Sequence, residues 1–192
     1  MKILLINGSP NEKGNTYFLL NQAAEEIQAR GGEANMAYLH GALQSCKKAF
    51  CNACSSPCNQ SCYKSGPLEA LYQDLREADG VLIGSPVYFG SATAQVKTFF
   101  DKSRFYRAAK AFAYKPCGAV AVGGSKYGGQ ETTVRAIHDM AMVQGMTVIG
   151  DGSMDTDMGH QGACCQRPAQ EDEFGIKRAR SIGIRIAEMT GR

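Results

Sequence analysis

Short apolar runs alternate with segments of helical spacing along this chain, and that alternation leaves few folds open to it. Uninterrupted apolar runs are typical of parallel strands buried on both faces, and apolar residues three or four positions apart are typical of amphipathic helices. The predicted strands are residues 2–6, 33–39, 81–84, 117–122 and 146–149. The predicted helices are residues 16–30, 67–77, 94–106, 131–144 and 171–190. This order predicts a single α/β domain over residues 1–192, a three-layer α/β/α sandwich with a five-stranded parallel sheet in the order 2-1-3-4-5.

Helical periodicity also predicts which side chains are buried. The inner face of helix 94–106 is predicted to hold Val96, Phe99 and Phe100. Its outer face is predicted to hold Lys97, Asp101 and Lys102. The inner face of the last helix is predicted to hold Phe174, Ile182, Ile186 and Met189. The second strand is polar, which predicts a position at an edge of the sheet.

Composition narrows the class of protein. The chain has 192 residues, 44% of them hydrophobic and 20% charged, which suits one globular core. A net charge of +3 is too small to indicate nucleic acid or a membrane surface as a partner. No apolar run approaches the length of a membrane span. The first residues lack a signal-peptide pattern, so we expect a cytoplasmic protein.

The loop between the first strand and the first helix, residues 7–16, is predicted to bind an anion. Backbone N–H groups and the helix dipole attract phosphate to a helix N-terminus. Ser9 and Thr16 add hydroxyl donors, and Asn15 can cap the helix and donate. The loop lacks the motifs of nucleoside-triphosphate, dinucleotide and phosphatase sites. A phosphate would therefore be held rather than cleaved, although an ordinary strand-to-helix turn is the alternative interpretation.

Two further loops follow the third and fourth strands. Residues 85–91 combine proline, tyrosine, phenylalanine and glycine, a composition that suits the cover of a flat ring. Residues 123–130 contain four glycines, so a ligand can approach the backbone closely. Loops at the carboxyl ends of parallel strands form the ligand crevice of an open α/β sheet. Together the three loops predict a mononucleotide with a large flat base.

Five of the eight cysteines lie within seventeen residues, from Cys46 to Cys62. In a reducing compartment this density argues against disulfides and for metal or redox chemistry. Thiolates so close in sequence can converge on a tetrahedral zinc ion or on an iron–sulfur cluster. Their spacing alone does not separate these two, and a segment without metal is the third interpretation. Residues 44–66 are predicted to form a cysteine-rich insertion in the domain.

Residues 150–167 are interpreted as a loop. Its adjacent cysteines, Cys164 and Cys165, are poorly placed to bind one metal together, so they are interpreted as ordinary loop thiols. A redox-active or metal-sensing pair is the alternative. A solvated loop, rather than a metal site, is the interpretation for Asp151, Asp155, Asp157 and His160.

Three motifs resemble the FMN-binding elements of the NADPH-dependent FMN reductase and flavodoxin-like superfamily. They are Gly8-Ser-Pro-x-x-x-Gly-Asn-Thr16, Gly84-Ser-Pro-Val-Tyr-Phe-Gly90 and Gly128-Gly-Gln-Glu-Thr-Thr133. The cysteine segment is similar to that of the iron–sulfur flavoproteins of this superfamily, whose usual pattern is Cys-x2-Cys-x2-Cys-x4–7-Cys. Here the run from Cys51 is Cys-x2-Cys-x3-Cys-x3-Cys, and Cys46 precedes it.

The resemblance implies a flavodoxin-like fold with FMN bound at the three loops. The residues that would hold the FMN phosphate are Ser9, Asn15 and Thr16. Those that would line the isoalloxazine are Pro86, Val87, Tyr88, Phe89 and Gly90. Those that would meet its pyrimidine edge are Ser125, Tyr127, Gly128 and Gly129. The implied cluster ligands are Cys51, Cys54, Cys58 and Cys62, with Cys46 as the reserve.

The leading hypothesis for function is an FMN-dependent oxidoreductase in which the flavin supplies the chemistry and the protein orients it. Electrons would pass between NAD(P)H or a reduced electron carrier, FMN, a [4Fe-4S] cluster and a quinone or other small redox acceptor. One alternative is a flavodoxin-like electron carrier without its own substrate. Another is an FMN reductase whose cysteines hold structural zinc or no metal. The resemblance also implies a homodimer or homotetramer. The small net charge and the lack of a long apolar run predict no nucleic acid and no membrane partner.

Overall fold

The structure, a computed structural model, describes residues 1–191 of the chain. Its strands are β1 (Lys2–Asn7), β2 (Glu33–Tyr38), β3 (Gly80–Pro86), β4 (Pro116–Gly123), β5 (Thr147–Val148) and β6 (Ala163–Gln166). Its α-helices are α1 (Asn15–Ala29), α2 (Leu39–Gln44), α3 (Pro67–Glu77), α4 (Ala94–Lys102), α5 (Arg104–Ala108), α6 (Gln130–Val143) and α7 (Glu173–Thr190). A short 3₁₀ turn (Ala169–Glu171) precedes α7. Within residues 1–191, no helix has both the length and the apolar character that crossing a membrane requires.

The strands form one parallel sheet with the order β2-β1-β3-β4-β5, which confirms the prediction. Strand β1 lies between its two partners, with Leu5 opposite Met36 of β2 and Leu82 of β3. Strand β2 lies at the edge, as its polar sequence predicted. A parallel sheet of this order places the loops after β1, β3 and β4 at one edge of the sheet.

The outermost position beside β4 is shared by two short strands. Strand β5 pairs with Pro116 and Cys117 at the start of β4, and β6 pairs with its last four residues, from Val120 to Gly123. The prediction of a loop over residues 150–167 is therefore wrong for residues 163–166. Cys164 and Cys165 are strand residues, not loop thiols. The physical reason is that β5 pairs with only two residues of the eight-residue β4, and buried backbone groups need hydrogen-bond partners. Strand β6 supplies them.

Helices cover both faces of the sheet. Ile3 and Leu5 of β1 pack against α1 and α7, whereas Leu4 and Ile6 pack on the side of α3, α4 and α6. This alternation follows from the two-residue period of a strand. Helices α1 and α7 approach closely at Gly183, where a Cβ atom would lie 2.5 Å from the carbonyl oxygen of Ala23.

Two assignments on helix 94–106 are corrected by the structure. The helix ends at Lys102, and Ser103, whose hydroxyl donates to the carbonyl of Phe100, separates it from α5. Lys102 does not face solvent: only 1% of it is exposed. Lys97 and Asp101 do face solvent, where they form an ion pair. The reason for the burial of Lys102 lies outside its own helix, in the acceptors that the cysteine segment presents.

The last helix also departs from the prediction. Ile182 and Ile186 are buried, but Phe174 is 56% exposed and Met189 is 39% exposed. Phe174 packs edge-on against the ring of His160, with 5.7 Å between ring centroids, and so contacts the segment between β5 and β6 instead of the sheet.

The charged residues of that segment are not uniformly solvated. Asp151 is buried, and its carboxylate accepts a hydrogen bond from the equally buried Arg178 of α7. Asp157 is exposed and accepts from the same guanidinium at 2.7 Å. The solvated-loop interpretation is therefore wrong for Asp151, because a buried carboxylate requires a partner.

Candidate functional site

The loop after β1 is held in shape by the side chain of Asn7. Its Oδ1 accepts from the backbone N–H of Ser9 at 3.0 Å, and its Nδ2 donates to the carbonyl of Glu12 at 3.1 Å. The hydroxyl of Ser9 accepts from the N–H of Asn11 at 3.1 Å. Ser9 is 7% exposed, so its hydroxyl belongs to the inner wall of the loop.

The N-terminus of α1 is suited to an anion. Gly14 is its N-cap residue, and no side chain caps the helix; its first turn contains no acidic residue. The first N–H groups of a helix have no partner within the helix, and the dipole gives this end a partial positive charge. Thr16 lies here with 2% exposure, and the neighbouring Ser9 adds a hydroxyl. These features fit a phosphate.

The three predicted loops lie together and are joined by hydrogen bonds. The Thr93 hydroxyl donates to the carbonyl of Gly8 at 2.7 Å, which ties the start of α4 to the first loop. The Thr132 hydroxyl donates to the carbonyl of Gly90 at 2.7 Å, which ties the start of α6 to the second loop. The N–H of Val87 donates to the carbonyl of Val122 at 2.9 Å. The carboxyl edge of the sheet therefore carries one continuous surface.

The second and third loops present aromatic side chains to solvent. Phe89 is fully exposed, and Tyr127 is 92% exposed. Their φ angles are +49° and +58°, in a region of backbone conformation that residues other than glycine seldom adopt. Such strained positions cluster where a ligand is bound. Gly129, at φ +97°, lets the loops approach, since a Cβ there would lie 3.0 Å from the Cα of Gly90.

The remaining predicted residues occupy the same edge. Those that are half-buried are Pro86, Val87, Gly128 and Gly129. Those that are exposed are Tyr88, Gly90 and Ser125. Gln130 orders the third loop, because its Nε2 donates to the carbonyls of Ser125 at 2.7 Å and Cys165 at 3.3 Å. The roles of these predicted residues in binding a flavin stay predictions.

The turn after β6 is a fourth element at this edge that sequence reasoning missed. Asn15, predicted to contact phosphate, uses its Oδ1 to accept from the N–H of Ala169 at 2.8 Å. Arg167 donates its N–H to the carbonyl of Gly123 at 2.9 Å, and its guanidinium lies over Gly124. The sequence did contain a signal for this strand: Ala163 and the two cysteines after it form a short apolar run, as in a buried strand.

The adjacent cysteines of β6 lie where burial disfavours their thiolate forms. Burial raises the pKa of both Cys164 and Cys165 to about 12. A thiol with so high a pKa stays protonated at neutral pH, and only the thiolate is a good nucleophile.

The cysteine segment, residues 45–66, contains neither helix nor strand. Its ends meet where the N–H of Lys47 donates to the carbonyl of Cys62 at 3.0 Å. Cys54 is exposed, and Cys46, Cys51, Cys58 and Cys62 are half-buried. Over residues 1–191, no three His, Cys, Asp or Glu side chains gather closely enough to hold a metal ion. The segment offers the all-sulfur donor set that an iron–sulfur cluster or zinc takes, and its ligands stay a prediction.

Cys46 and Cys62 lie at the base of this segment beside Lys102. Burial raises the pKa of Cys46; the ammonium of Lys102 acts in the opposite direction, and a nearby Cys62 thiolate adds to the rise. The Nζ atom of Lys102 lies 3.7 Å from the sulfur of Cys62. A buried cation is thus part of the environment of these thiols.

A cavity of about 500 Å³ lies away from the three loops. It is lined by the carboxyl-terminal halves of α4 and α6, including Phe100 and Met140, and by Cys51. Helices of this fold run antiparallel to the strands, so the cavity lies toward the opposite edge of the sheet. The candidate flavin site is instead an open surface formed by the loops.

The sheet order and the loops at its carboxyl edge define the flavodoxin-like class of α/β proteins. The fold is similar to a WrbA-like flavodoxin from Agrobacterium tumefaciens, with a TM-score of 0.70 over 99% of this chain and 97% of the other. Sequence identity to that structure is 16%, so the likeness concerns the fold.

The chain belongs to the NADPH-dependent FMN reductase family, whose sequence pattern matches residues 1–161. An iron–sulfur flavoprotein of Methanocaldococcus jannaschii is 36% identical over 191 residues, covering 98% of this chain and 97% of the relative. An NAD(P)H dehydrogenase (quinone) of Chromohalobacter salexigens is 35% identical over 94 residues, 47% of each chain. The chain is accordingly a flavin oxidoreductase, which confirms the predicted class of enzyme.

Proposed function

We propose that this chain binds FMN at the three loops and transfers electrons from NAD(P)H to a quinone or another small acceptor. The observation that carries the proposal is the uncapped N-terminus of α1 at the same edge of the sheet as two aromatic, glycine-containing loops. Thr93 ties α4 to the first loop, and Thr132 ties α6 to the second. A phosphate site beside a surface for a flat ring matches the two ends of FMN. The NAD(P)H-dependent relatives support a nicotinamide donor.

The chain's own residues would bind and orient the cofactor. Ser9, Thr16 and the first amides of α1 would hold the phosphate, and residues 86–90 and 125–129 would contact the ring. When bound, FMN supplies hydride and single-electron chemistry without a side-chain acid or base. The protein contributes orientation, and backbone N–H groups that favour negative charge on the reduced ring.

We propose as a separate point that the cysteine segment binds a [4Fe-4S] cluster through Cys51, Cys54, Cys58 and Cys62. The name of the full-length relative and the all-sulfur donor set support this assignment. The sulfurs would have to move together, which a segment without helix or strand permits. Structural zinc, or no metal, is the alternative. No electron-transfer step is derived through this group.

The setting of the protein is also a proposal. All eight cysteines are free, which favours a reducing compartment such as the cytoplasm. The exposed Phe89 and Tyr127 favour a homodimer or homotetramer in which a second chain covers part of the flavin edge.

The cradle is tested by Ser9→Asp, with Ser9→Ala as the matched control, in a titration of FMN into flavin-free protein. A carboxylate about 5 Å from the phosphate would repel it by roughly 3 kcal/mol per charge pair at an effective dielectric of about 20. We therefore expect FMN affinity to fall about 100-fold or more in Ser9→Asp and only severalfold in Ser9→Ala. Equal affinities in the two variants would place the phosphate elsewhere.

The whole assignment is tested by an anaerobic visible spectrum with iron, zinc and sulfide assays on one sample. Flavin bands over a broad shoulder, with about four iron and four sulfide per chain, support FMN and a cubane cluster. Flavin bands with zinc or no metal leave the reductase and remove the cluster. NADPH oxidation with a quinone acceptor supports an enzyme, whereas its absence without a partner reductase favours an electron carrier.

A further inference from the structure

Lys102 is buried beneath the cysteine segment. It is the last residue of α4, it is 1% exposed, and no carboxylate within residues 1–191 lies within 4 Å of its nitrogen. A lysine is seldom buried without a partner, because removing an ammonium group from water is costly. The groups that its ammonium contacts should therefore indicate the role of this buried charge.

Within residues 1–191, the hydrogen-bond acceptors of the Lys102 ammonium all come from the cysteine segment. Its Nζ donates to the carbonyl of Lys48 at 2.8 Å and lies 3.5 Å from the carbonyl of Phe50. The same nitrogen lies 3.7 Å from the sulfur of Cys62. Hydrogen bonds to a charged donor are stronger than those between neutral groups. One ammonium thus joins the start of the segment to its last cysteine.

These contacts reinforce the closure of the segment. The N–H of Lys47 donates to the carbonyl of Cys62 at 3.0 Å, so residues 47 and 62 already form a neck. Lys102 lies at this neck, where its ammonium meets acceptors on Lys48, Phe50 and Cys62. Residues 51–58, with three further cysteines, extend from the neck and receive no hydrogen bond from Lys102.

We propose that Lys102 is the positioning residue of the cysteine segment, with its buried ammonium fixing the neck and supplying a positive charge beside the sulfur of Cys62. This proposal deepens the proposed metal-binding function. Only its expectation for metal content rests on that function; its expectation for the order of the segment does not. The tip of the segment stays free to rearrange around a ligand.

A lysine that only fills space would behave differently. Replacement by methionine keeps the length and the apolar stem, removes the charge, and avoids the cost of burying an ammonium, so global stability should hold or rise. A positioning role predicts that the segment nevertheless loosens locally. Local loosening without global destabilisation is therefore the distinguishing signature.

The experiment compares wild type, Lys102→Met, Lys102→Arg and Lys97→Met. Lys97 is the matched control, because it lies on the same helix but is exposed and paired only with Asp101. Hydrogen exchange and limited proteolysis of residues 47–62 are measured on the full chain, both as isolated and after removal of metal by a chelator. Urea unfolding, FMN affinity and iron content are measured on the same samples.

We expect exchange and cleavage within residues 47–62 to rise about tenfold in Lys102→Met, since a hydrogen bond to a charged group shifts a local equilibrium by that order. Lys102→Arg should restore much of the protection, and Lys97→Met should match wild type. FMN affinity should be unchanged, because the contacts of Lys102 lie away from the flavin loops. Protection of the segment equal to wild type in Lys102→Met would overturn the proposal, whether or not metal is present.

Metal content separates this proposal from the cluster assignment. Iron in wild type and its loss in Lys102→Met, with flavin retained, support both. No iron in any sample, together with a loosened segment in Lys102→Met, overturns the cluster and supports the positioning role. Full iron and unchanged protection in Lys102→Met would support the cluster and overturn the role of Lys102.

Discussion

Replacing Thr93 with valine tests whether the first two flavin loops are held together as the structure describes. Thr93 is fully buried, its hydroxyl donates to the carbonyl of Gly8 at 2.7 Å, and it accepts from the N–H of Val96 at the start of α4. Valine has nearly the same shape but neither donates nor accepts. The substitution therefore removes both hydrogen bonds while leaving the packing of the side chain almost intact.

The expected loss follows from these two contacts. Removing an N-cap costs about 1 kcal/mol, and removing a buried hydrogen bond that leaves a carbonyl unpaired costs roughly 1 to 2 kcal/mol. We expect the free energy of unfolding of the flavin-free protein to fall by about 2 to 3 kcal/mol. FMN affinity should fall about tenfold, because the carbonyl of Gly8 is no longer fixed next to the α1 N-terminus.

Urea unfolding followed by circular dichroism and quenching of FMN fluorescence measure the two effects. Thr93→Ser is the matched control, since it keeps the hydroxyl and should lose about 1 kcal/mol or less, from the missing methyl group. If Thr93→Val proves as stable as Thr93→Ser, the two hydrogen bonds do not stabilise the fold. If it is destabilised but binds FMN normally, the contact supports the fold and not the flavin site.

Gly183→Ala should destabilise the fold by about 1 to 3 kcal/mol in urea, because its new methyl carbon would lie 2.5 Å from a backbone carbonyl of α1; an unchanged midpoint would mean that the two helices separate at little cost. Burial lowers the pKa of His138 from its ordinary 6.5. As pH falls, His138 is therefore protonated in the unfolded protein before it is protonated in the folded protein. The free energy of unfolding should therefore fall as pH drops through 6.5, and His138→Gln should flatten that dependence; a slope equal to wild type would refute this. In metal-depleted protein at pH 8, iodoacetamide should modify Cys54 well before Cys164 or Cys165, by mass spectrometry, because their pKa of about 12 keeps both thiols protonated; rapid labelling of the β6 pair would contradict their burial.

The order of the sheet was predictable because its evidence is local. The apolar runs of β1, β3 and β4 are long enough to be recognised as buried strands from their own sequence. The polar sequence of β2 indicates a strand at the edge of the sheet. The sharing of the fifth position by β5 and β6 was not predictable in the same way. Thr147–Val148 and Ala163–Gln166 are too short to show a period, and only the unpaired half of β4 explains why the second of them is a strand.

The candidate site shows the same division. The loops after β1, β3 and β4 were located from their composition, and the structure brings them together. The hydrogen bonds that join them were not predictable, because the sequence does not show which carbonyl the hydroxyl of Thr93 or Thr132 will meet. Lys102 was misassigned for a related reason. Its position, three residues after Phe99, lies on the inner face, but the carbonyls that accept its charge are more than fifty residues away in sequence.

The two sides of the sheet differ in their exposure to unwanted strand pairing. Beyond β4, pairing is divided between a two-residue and a four-residue strand with fourteen residues between them, and so short and broken an edge is a poor template for another chain. At the other side, β2 offers six continuous residues, with only Glu33 charged. Intermolecular β-sheet growth during misfolding should therefore begin at β2, and a lysine at the outward-facing Asn35 is where a single charge would oppose it most directly.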